Sequence, residues 1–401
     1  MGLLDPLVAL LFSFMLLALM LYKRVSIGVA LVSSAFVLSL LSMDLMEVTD
    51  VLVETTRDSI TISLVLVTLG IMLLSLLYKE TAALESLSKS FSGLLRHPKL
   101  VVSALPAIVG LLPVPGGALM SAPLVETEAE KLGLRKEKKT YVNVWFRHII
   151  FPIYPMSQVL ILAASLTGTP INSIIVSQIP VVAAMIIIGY VVGLKRTMVT
   201  ENLVQETSLG ENLKVFLVYF SPILVMILTV IIFKIDVSIA AFVGIALLLL
   251  ITKPSRQVLT TTISNAAIYK IALAAYGAML LRSVTMASGV SEVLGQIIAA
   301  WNFNEIVLLA ALPAILAFLV GSPSGGIAIS VPILVGTLSF TPSSASLLYI
   351  SAFFGYLVAP THLCLALTAD YFKCPLSKVY KLLAPSLATS LVVALLVYHL
   401  F

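Results

Sequence analysis

This chain is poor in charge. Asp, Glu, Lys and Arg make up 11% of its 401 residues, against about 25% in an ordinary soluble protein. Hydrophobic residues make up 60%, and the mean hydropathy is +1.12. That balance excludes a soluble globular domain and implies an integral membrane protein. Cysteine is scarce as well. The two present, Cys364 and Cys374, are too few for a disulfide framework and lack the spacing of a cysteine-based zinc site. Alternating ten-residue strands are missing, which argues against a β-barrel. No phosphate-binding Walker loop, zinc-protease His-Glu-x-x-His or dinucleotide glycine motif occurs. The apolar runs hold no pair of carboxylates. No enzyme and no cofactor are therefore expected, and ATP-driven transport by this chain alone is disfavoured. The N-terminus lacks the positive charge of a cleavable signal, and its first apolar run leads straight into a second.

What the chain does have is long apolar runs. They fall at about 3–21, 25–43, 59–78, 170–193, 213–233, 236–252, 267–286 and 382–401, with two longer ones at 139–167 and 342–369. Most are near 20 residues, the length that crosses the hydrocarbon as a helix. Short amphipathic stretches at 81–97 and 288–301 read as helices lying along the interface.

The second feature is repetition. Residues 104–108 read Ala-Leu-Pro-Ala-Ile, and so do residues 311–315. Gly116-Gly117-x-x-x-Ser121-x-Pro123 recurs as Gly325-Gly326-x-x-x-Ser330-x-Pro332, an offset of 209. The spans recur at nearly the same offset, so the repeat covers almost the whole chain. Its first copy is 1–195, a polar linker follows at 196–212, and the second copy is 213–401. Each copy has a broken apolar segment; in 98–126 the arms on both sides of the Pro and Gly residues are too short to cross the membrane, and in 304–337 the first arm approaches spanning length. A re-entrant hairpin fits better, with its irregular backbone lodged in protein or a watery cavity. The long runs 139–167 and 342–369 carry Pro152, Pro155 and Pro360 and read as discontinuous helices.

Charge placement sets the topology. With both hairpins re-entrant, each copy crosses five times, giving about ten spans and two hairpins. Residues 22–24, 79–99, 126–140, 194–214, 252–270 and 370–381 then share one face and hold 20 of the 24 Lys and Arg. Positive loops mark the cytoplasm. Both termini are expected outside, and an odd number of crossings inverts one copy relative to the other. The net charge of +5 is then a matter of topology, with no nucleic-acid partner. The fold class is an all-α integral membrane protein of two inverted-topology repeats in a cell (inner or plasma) membrane.

Matched breaks in two halves point to a binding site at the repeat interface. The candidates at the tips are Pro115, Gly116, Gly117 and Ser121 in the first hairpin, and Ser324, Gly325, Gly326 and Ser330 in the second. A helix beginning at Gly117 or Gly326 would aim its amides and positive dipole end at an anion. Freed carbonyls beside Gly116, Ser121, Gly325 and Ser330 are candidate Na+ ligands; Na+ is the candidate coupling ion, and no other metal is expected. Asn143 and Arg147 precede the first break on one helix face. An intramembrane Arg is a functional hypothesis by default. Arg147 either neutralises an anionic substrate or pairs with Asp370, and Gly355 stands in its place in the second copy. Thr361 and His362 follow Pro360. His148 and His362 are candidate proton carriers, or else helix-packing groups. Ser157, Gln158 and Thr368 are weaker candidates.

Three readings follow. The first is a secondary transporter for a small, anionic organic solute, coupled to Na+ or H+. The second is a cation/proton exchanger or channel-like pore using His148 and His362. The third, a membrane enzyme or assembly factor holding a lipid, lacks a nucleophile–base pair.

The segments Leu112-Pro-Val-Pro-Gly-Gly-Ala-Leu-Met-Ser-Ala-Pro123, Gly321-Ser-Pro-Ser-Gly-Gly-Ile-Ala-Ile-Ser-Val-Pro332 and Ala359-Pro-Thr-His-Leu-Cys-Leu365 carry a resemblance. The chain resembles the ion transporter superfamily of secondary carriers and looks most like its branch catalogued as domain of unknown function 401. The resemblance implies inverted repeats with two re-entrant hairpins, a homodimer, and elevator-like movement of a transport part against a scaffold. The dicarboxylate carriers of that superfamily have Ser-Asn-Thr at the tips, where this chain has Pro-Gly-Gly and Ser-Gly-Gly.

Overall fold

The computed structural model describes residues 4–95, 97–112, 117–195, 197, 208–300, 303–335 and 337–400. Among these there are α-helices and one 3-10 turn, and no strand. The helices before residue 195 are α1 (Pro6–Tyr22), α2 (Ile27–Ser42), α3 (Leu45–Arg57), α4 (Ser59–Glu80), α5 (Ala83–Leu94), α6 (Pro98–Gly110), α7 (Ala118–Lys131), α8 (Lys136–His148), α9 (Gln158–Thr167) and α10 (Ile171–Gly193). After residue 208 come α11 (Leu209–Ile231), α12 (Val237–Thr252), α13 (Arg256–Ile263), α14 (Ala266–Ala287), α15 (Val290–Ala300), α16 (Glu305–Val320), α17 (Pro323–Leu334), α18 (Pro342–Val358), α19 (Leu363–Tyr371) and α20 (Leu376–Leu400). The two series run in the same order, long beside long and short beside short. Most of the expected linker, residues 196 and 198–207, lies outside the described residues.

Among the described residues, seven segments are long and apolar enough to cross a membrane, with α8–α9, α13–α14 and α18–α19 each taken as one. Helices α1, α2 and α12 have 17, 16 and 16 residues. Their exposed side chains include Leu11, Met15 and Leu250, at 64%, 62% and 71% exposure. Apolar helix faces turned outward fit a multi-pass membrane protein.

Polar caps set the helix starts. Asp5 accepts from the Leu7 amide at 2.9 Å, with Pro6 in the first turn. Asn304 does the same for Ile306, and Asp236 for Ser238. Helix α3 lies outside every apolar run. It opens on a capping box of Asp44 and Glu47 and leaves Leu45 and Met46 exposed. The short helix α13 follows α12 in the same way.

Close packing divides the chain into two units. The first unit comprises Met1–Leu69, Gln158–Ile174 and Asn265–Ala359; the second comprises Gly70–Ser157, Ile175–Ser264 and Pro360–Phe401. Each unit takes segments from both halves of the sequence.

In the first unit, α2 packs on α14 and α1, and the Ser13 hydroxyl donates to the Ser34 carbonyl at 2.7 Å. Helices α16 and α17 pack on each other, α16 on α18, and α17 on both α9 and α18. The Arg282 Nε donates to the Leu166 carbonyl at 2.7 Å. In the second unit, α5 packs on α11, and α11 on α12. Helices α6 and α7 pack on each other, α6 on α8, and α7 on both α19 and α8. Tyr78 donates to the Tyr219 carbonyl at 2.7 Å, and Trp145 Nε1 to the Met185 carbonyl at 2.9 Å. The two arrangements correspond member for member, as α6, α7, α8 and α19 against α16, α17, α18 and α9.

Candidate functional site

The second unit gathers most of the candidate residues around α7, α8 and the start of α19. Gly117 caps α7 and is buried. Ser121, one turn into α7, is fully buried; its hydroxyl donates to Asn143 Oδ1 at 2.7 Å. The Asn143 amide donates to the Ala118 carbonyl at 2.9 Å and reaches the Thr368 hydroxyl at 3.4 Å. One side chain on α8 thus ties the first turn of α7 to α19. Pro115 and Gly116 lie outside the described residues.

Arg147 stands one turn beyond Asn143. It is 2% exposed, and its Nη2 donates to the Leu112 carbonyl at 3.3 Å. Its Nε and Nη1 have no hydrogen-bond partner among the described residues, and it makes no ion pair with any of them. Asp370 is exposed at the far end of α19 and does not neutralise it. A guanidinium keeps its proton in a protein. Burying one without a counter-charge costs several kcal/mol. The side chain is held there by α6. A Cβ on Gly110 would come within 2.3 Å of the Arg147 carbonyl oxygen and 3.4 Å of its Cγ.

The counterpart position in the first unit cannot carry such a group. A Cβ on Gly355 would lie 2.0 Å from the Ala314 carbonyl oxygen. Backbone contact between α16 and α18 leaves no room there for a side chain.

Beyond Arg147 the helix ends at His148. Residues 149–157 form a break containing the 3-10 turn Phe151–Ile153, and α9 resumes at Gln158. The second long run breaks at 359–362, where Thr361 is exposed and His362 is buried as the cap residue of α19. The rings of His148 and His362 meet edge-on, 4.8 Å between centroids. Cys364 is buried beside them.

The remaining candidates belong to the first unit. The helix expected to begin at Gly326 begins three residues earlier. Ser322 caps it, accepting from the Gly325 amide at 3.3 Å, and Pro323 opens the first turn. Gly325 and Gly326 are therefore inside α17, and the Gly325 amide is already committed to Ser322. Ser330 is fully buried; its hydroxyl reaches only the Ile327 carbonyl within its own helix, at 3.5 Å. Ser324 lines a small apolar cavity of about 30 Å³ with Thr68, Gln158, Ile27 and Leu162. Gln158 donates to the Thr68 carbonyl there at 3.2 Å. Ser351, in the place matching Asn143, is buried with its hydroxyl unpartnered among the described residues.

The sequence reading left Cys364 out of the site. Its two-residue spacing from His362 is visible in the sequence, but His148 is more than two hundred residues away, and only the fold joins them.

A family described as protein of unknown function (DUF401) matches residues 5–401. No curated protein matches the chain.

Proposed function

The chain belongs to the DUF401 family of proteins of unknown function, and for this member we propose a secondary transporter that moves a small anionic organic solute by alternating access. The observation that carries the proposal is Arg147, buried at 2% exposure without a counter-charge among the described residues. An unpaired guanidinium at membrane depth is a strong recruiter of a carboxylate or phosphate, because binding supplies the charge the fold withholds. One turn back on α8, Asn143 holds Ser121 and the first turn of α7, and the amides at that helix start are the further donors available to an anion.

The inverted-repeat architecture is part of the proposal. It is supported by the two matched helix series and by the correspondence of α6, α7, α8 and α19 with α16, α17, α18 and α9. Helices α6 and α7 have 13 and 14 residues, α16 and α17 have 16 and 12. At about 1.5 Å per residue α6, α7 and α17 span roughly 18–21 Å, short of the roughly 30 Å hydrocarbon core; α16, as long as α2 and α12, is assigned to a hairpin by its correspondence with α6. Each pair is read as a re-entrant hairpin.

The topology draws support from contacts within each unit. Tyr371 donates to Glu126 at 2.9 Å, and Lys139 sits 2.9 Å from Glu130, joining loops assigned to the cytoplasm. In the first unit, Arg57 and Asp58 at the end of α3 line one surface hollow with Ser283 near the end of α14, as both would if those ends lie on the side opposite the positive loops. Elevator-like movement and a homodimer follow from the superfamily resemblance and are proposed on that basis.

A second reading, cation/proton exchange, draws on the His148–His362 ring contact. Uptake in proteoliposomes separates the two. The transporter reading requires saturable uptake of an organic anion, driven by a Na+ or proton gradient, that Arg147→Gln abolishes while folded yield is kept. Proton–cation exchange without solute movement would favour the second.

A further inference from the structure

His148, His362 and Cys364 are all buried in the second unit, and their ligand atoms lie within 4.8 Å of one another. His148 closes α8, His362 caps α19, and Cys364 stands in the first turn of α19. The chain has only four histidines and two cysteines, so half of them meet at one point inside the protein. The Nδ1 of His148 lies 2.6 Å from the Val144 carbonyl. A carbonyl only accepts, so in the neutral ring Nδ1 carries the proton and Nε2 carries the lone pair. A histidine oriented through its other nitrogen is the usual arrangement of a metal ligand.

We propose that this cluster binds a soft transition-metal cation, Cu+ in preference to Zn2+. Two imidazole nitrogens and one thiolate suit copper and zinc and reject hard, oxygen-seeking cations such as Na+, Mg2+ or Ca2+. With bonds of about 2.0–2.3 Å, the ligand atoms of one ion lie roughly 3.3–4 Å apart. The observed spread therefore closes with rotamer adjustments of about an ångström.

Charge decides between the two ions. The site is buried and adjoins the residue that carries the uncompensated guanidinium, Arg147. Cu+ with one thiolate is neutral, whereas Zn2+ with one thiolate leaves a buried positive charge beside another, which is costly. Three ligands also complete a trigonal Cu+ site, while Zn2+ takes a fourth. On binding, the Cys364 S–H bond breaks, its proton passes to solvent, and the sulfur–copper bond forms with no change of oxidation state. An occupied site would tie the end of α8 to the start of α19.

The proposal is independent of the transported solute and is tested by metal binding alone. Full-length protein, purified in detergent through a tag free of histidine, is titrated with Cu+ against a competing chelator such as bathocuproine disulfonate. The expected result is one Cu+ retained per chain, with a raised melting temperature. Zn2+ should be held at least about tenfold more weakly, and Cys374→Ser should bind as the parent does. Cys364→Ser should weaken retention by more than about 100-fold, beyond the loss of an outer-shell partner. X-ray absorption on the unmutated protein should show one sulfur and two nitrogens around copper, a readout that survives if a variant fails to fold. Retention unchanged in Cys364→Ser, copper without a sulfur ligand, or no stoichiometric copper would overturn the site. Zinc held in preference to copper would overturn the choice of ion.

Discussion

The carbonyl oxygen of Arg147 occupies the space that a side chain on Gly110 would need, 2.3 Å from the Cβ position. This contact seats α6 on α8 and fixes the guanidinium beside Leu112, at the entrance to the α6–α7 connection. Gly110→Ala should force the two helices apart, at a cost of about 1–3 kcal/mol for overpacking. It should also displace Arg147 and weaken any response to anions. Thermal unfolding with and without a saturating anion separates the two effects. A variant with parental stability and parental anion response would show that α6 yields easily and that the contact does not position Arg147.

Asn143 gives a sharper test, because it lies one turn from Arg147 on α8. Asn143→Ala removes the bonds to Ser121 and Ala118 and should cost about 1–3 kcal/mol. Asn143→Asp still accepts from Ser121 and places a carboxylate four residues before the arginine, the favourable orientation for a helix pair. It should be at least as stable as the alanine variant and should lose its stabilisation by anions, since the guanidinium is neutralised internally. An Asn143→Asp protein that still responds to anions would mean that Arg147 is not their counter-charge.

Topology is accessible through Cys374, which lies between the spans in a loop assigned to the cytoplasm. Burial, and secondarily the Glu137 carboxylate, push its thiol above the ordinary cysteine value. The thiolate is the reactive form, so raising the pKa lowers reactivity at any given pH. In a Cys364→Ser background, a membrane-impermeant maleimide should label Cys374 only from the cytoplasmic side. The rate should keep rising with pH beyond the range where a free cysteine has levelled off. An Arg135→Cys variant, at an exposed position before α8, should label quickly from the same side. Labelling of Arg135→Cys from outside would contradict the assignment of residues 126–140 to the cytoplasmic face.

Much of this molecule could be read from its apolar runs. Seven of the ten coincide with segments long and apolar enough to span, the other three with shorter apolar helices, and Pro152, Pro155 and Pro360 coincide with the two breaks. Proline was an ambiguous guide elsewhere, because Pro106, Pro123, Pro313 and Pro332 remain inside helices, where neighbouring segments tolerate them. Helix α3 went unread because Glu47, Asp50 and Glu54 interrupt any apolar run, although its Asp44-x-x-Glu47 capping box was in plain view. The glycines point to a start for α17 three residues too late, because Ser322-Pro323 is the stronger start signal.

Within the site, the pairing of Asn143 with Arg147 follows from helical spacing. The bond from Ser121 to Asn143 and the meeting of His148 with Cys364 depend on how separate segments pack, and no local pattern encodes that. Spacing also left the choice between substrate and Asp370 open. The exposure of Asp370 removes one alternative, and only the packing around Arg147 could reveal it.

The account rests on Arg147 as an anion's counter-charge, and ligand-dependent stability tests it most directly. Purified protein is melted across a panel of mono- and dicarboxylates and phosphate esters, with Na+ present and absent. At 100 times its dissociation constant, a ligand specific to the folded state adds about 2.7 kcal/mol. The account predicts that at least one organic anion raises the melting temperature of the parent protein by several degrees and leaves Arg147→Gln unmoved. Equal stabilisation of both proteins by the same anion would contradict it.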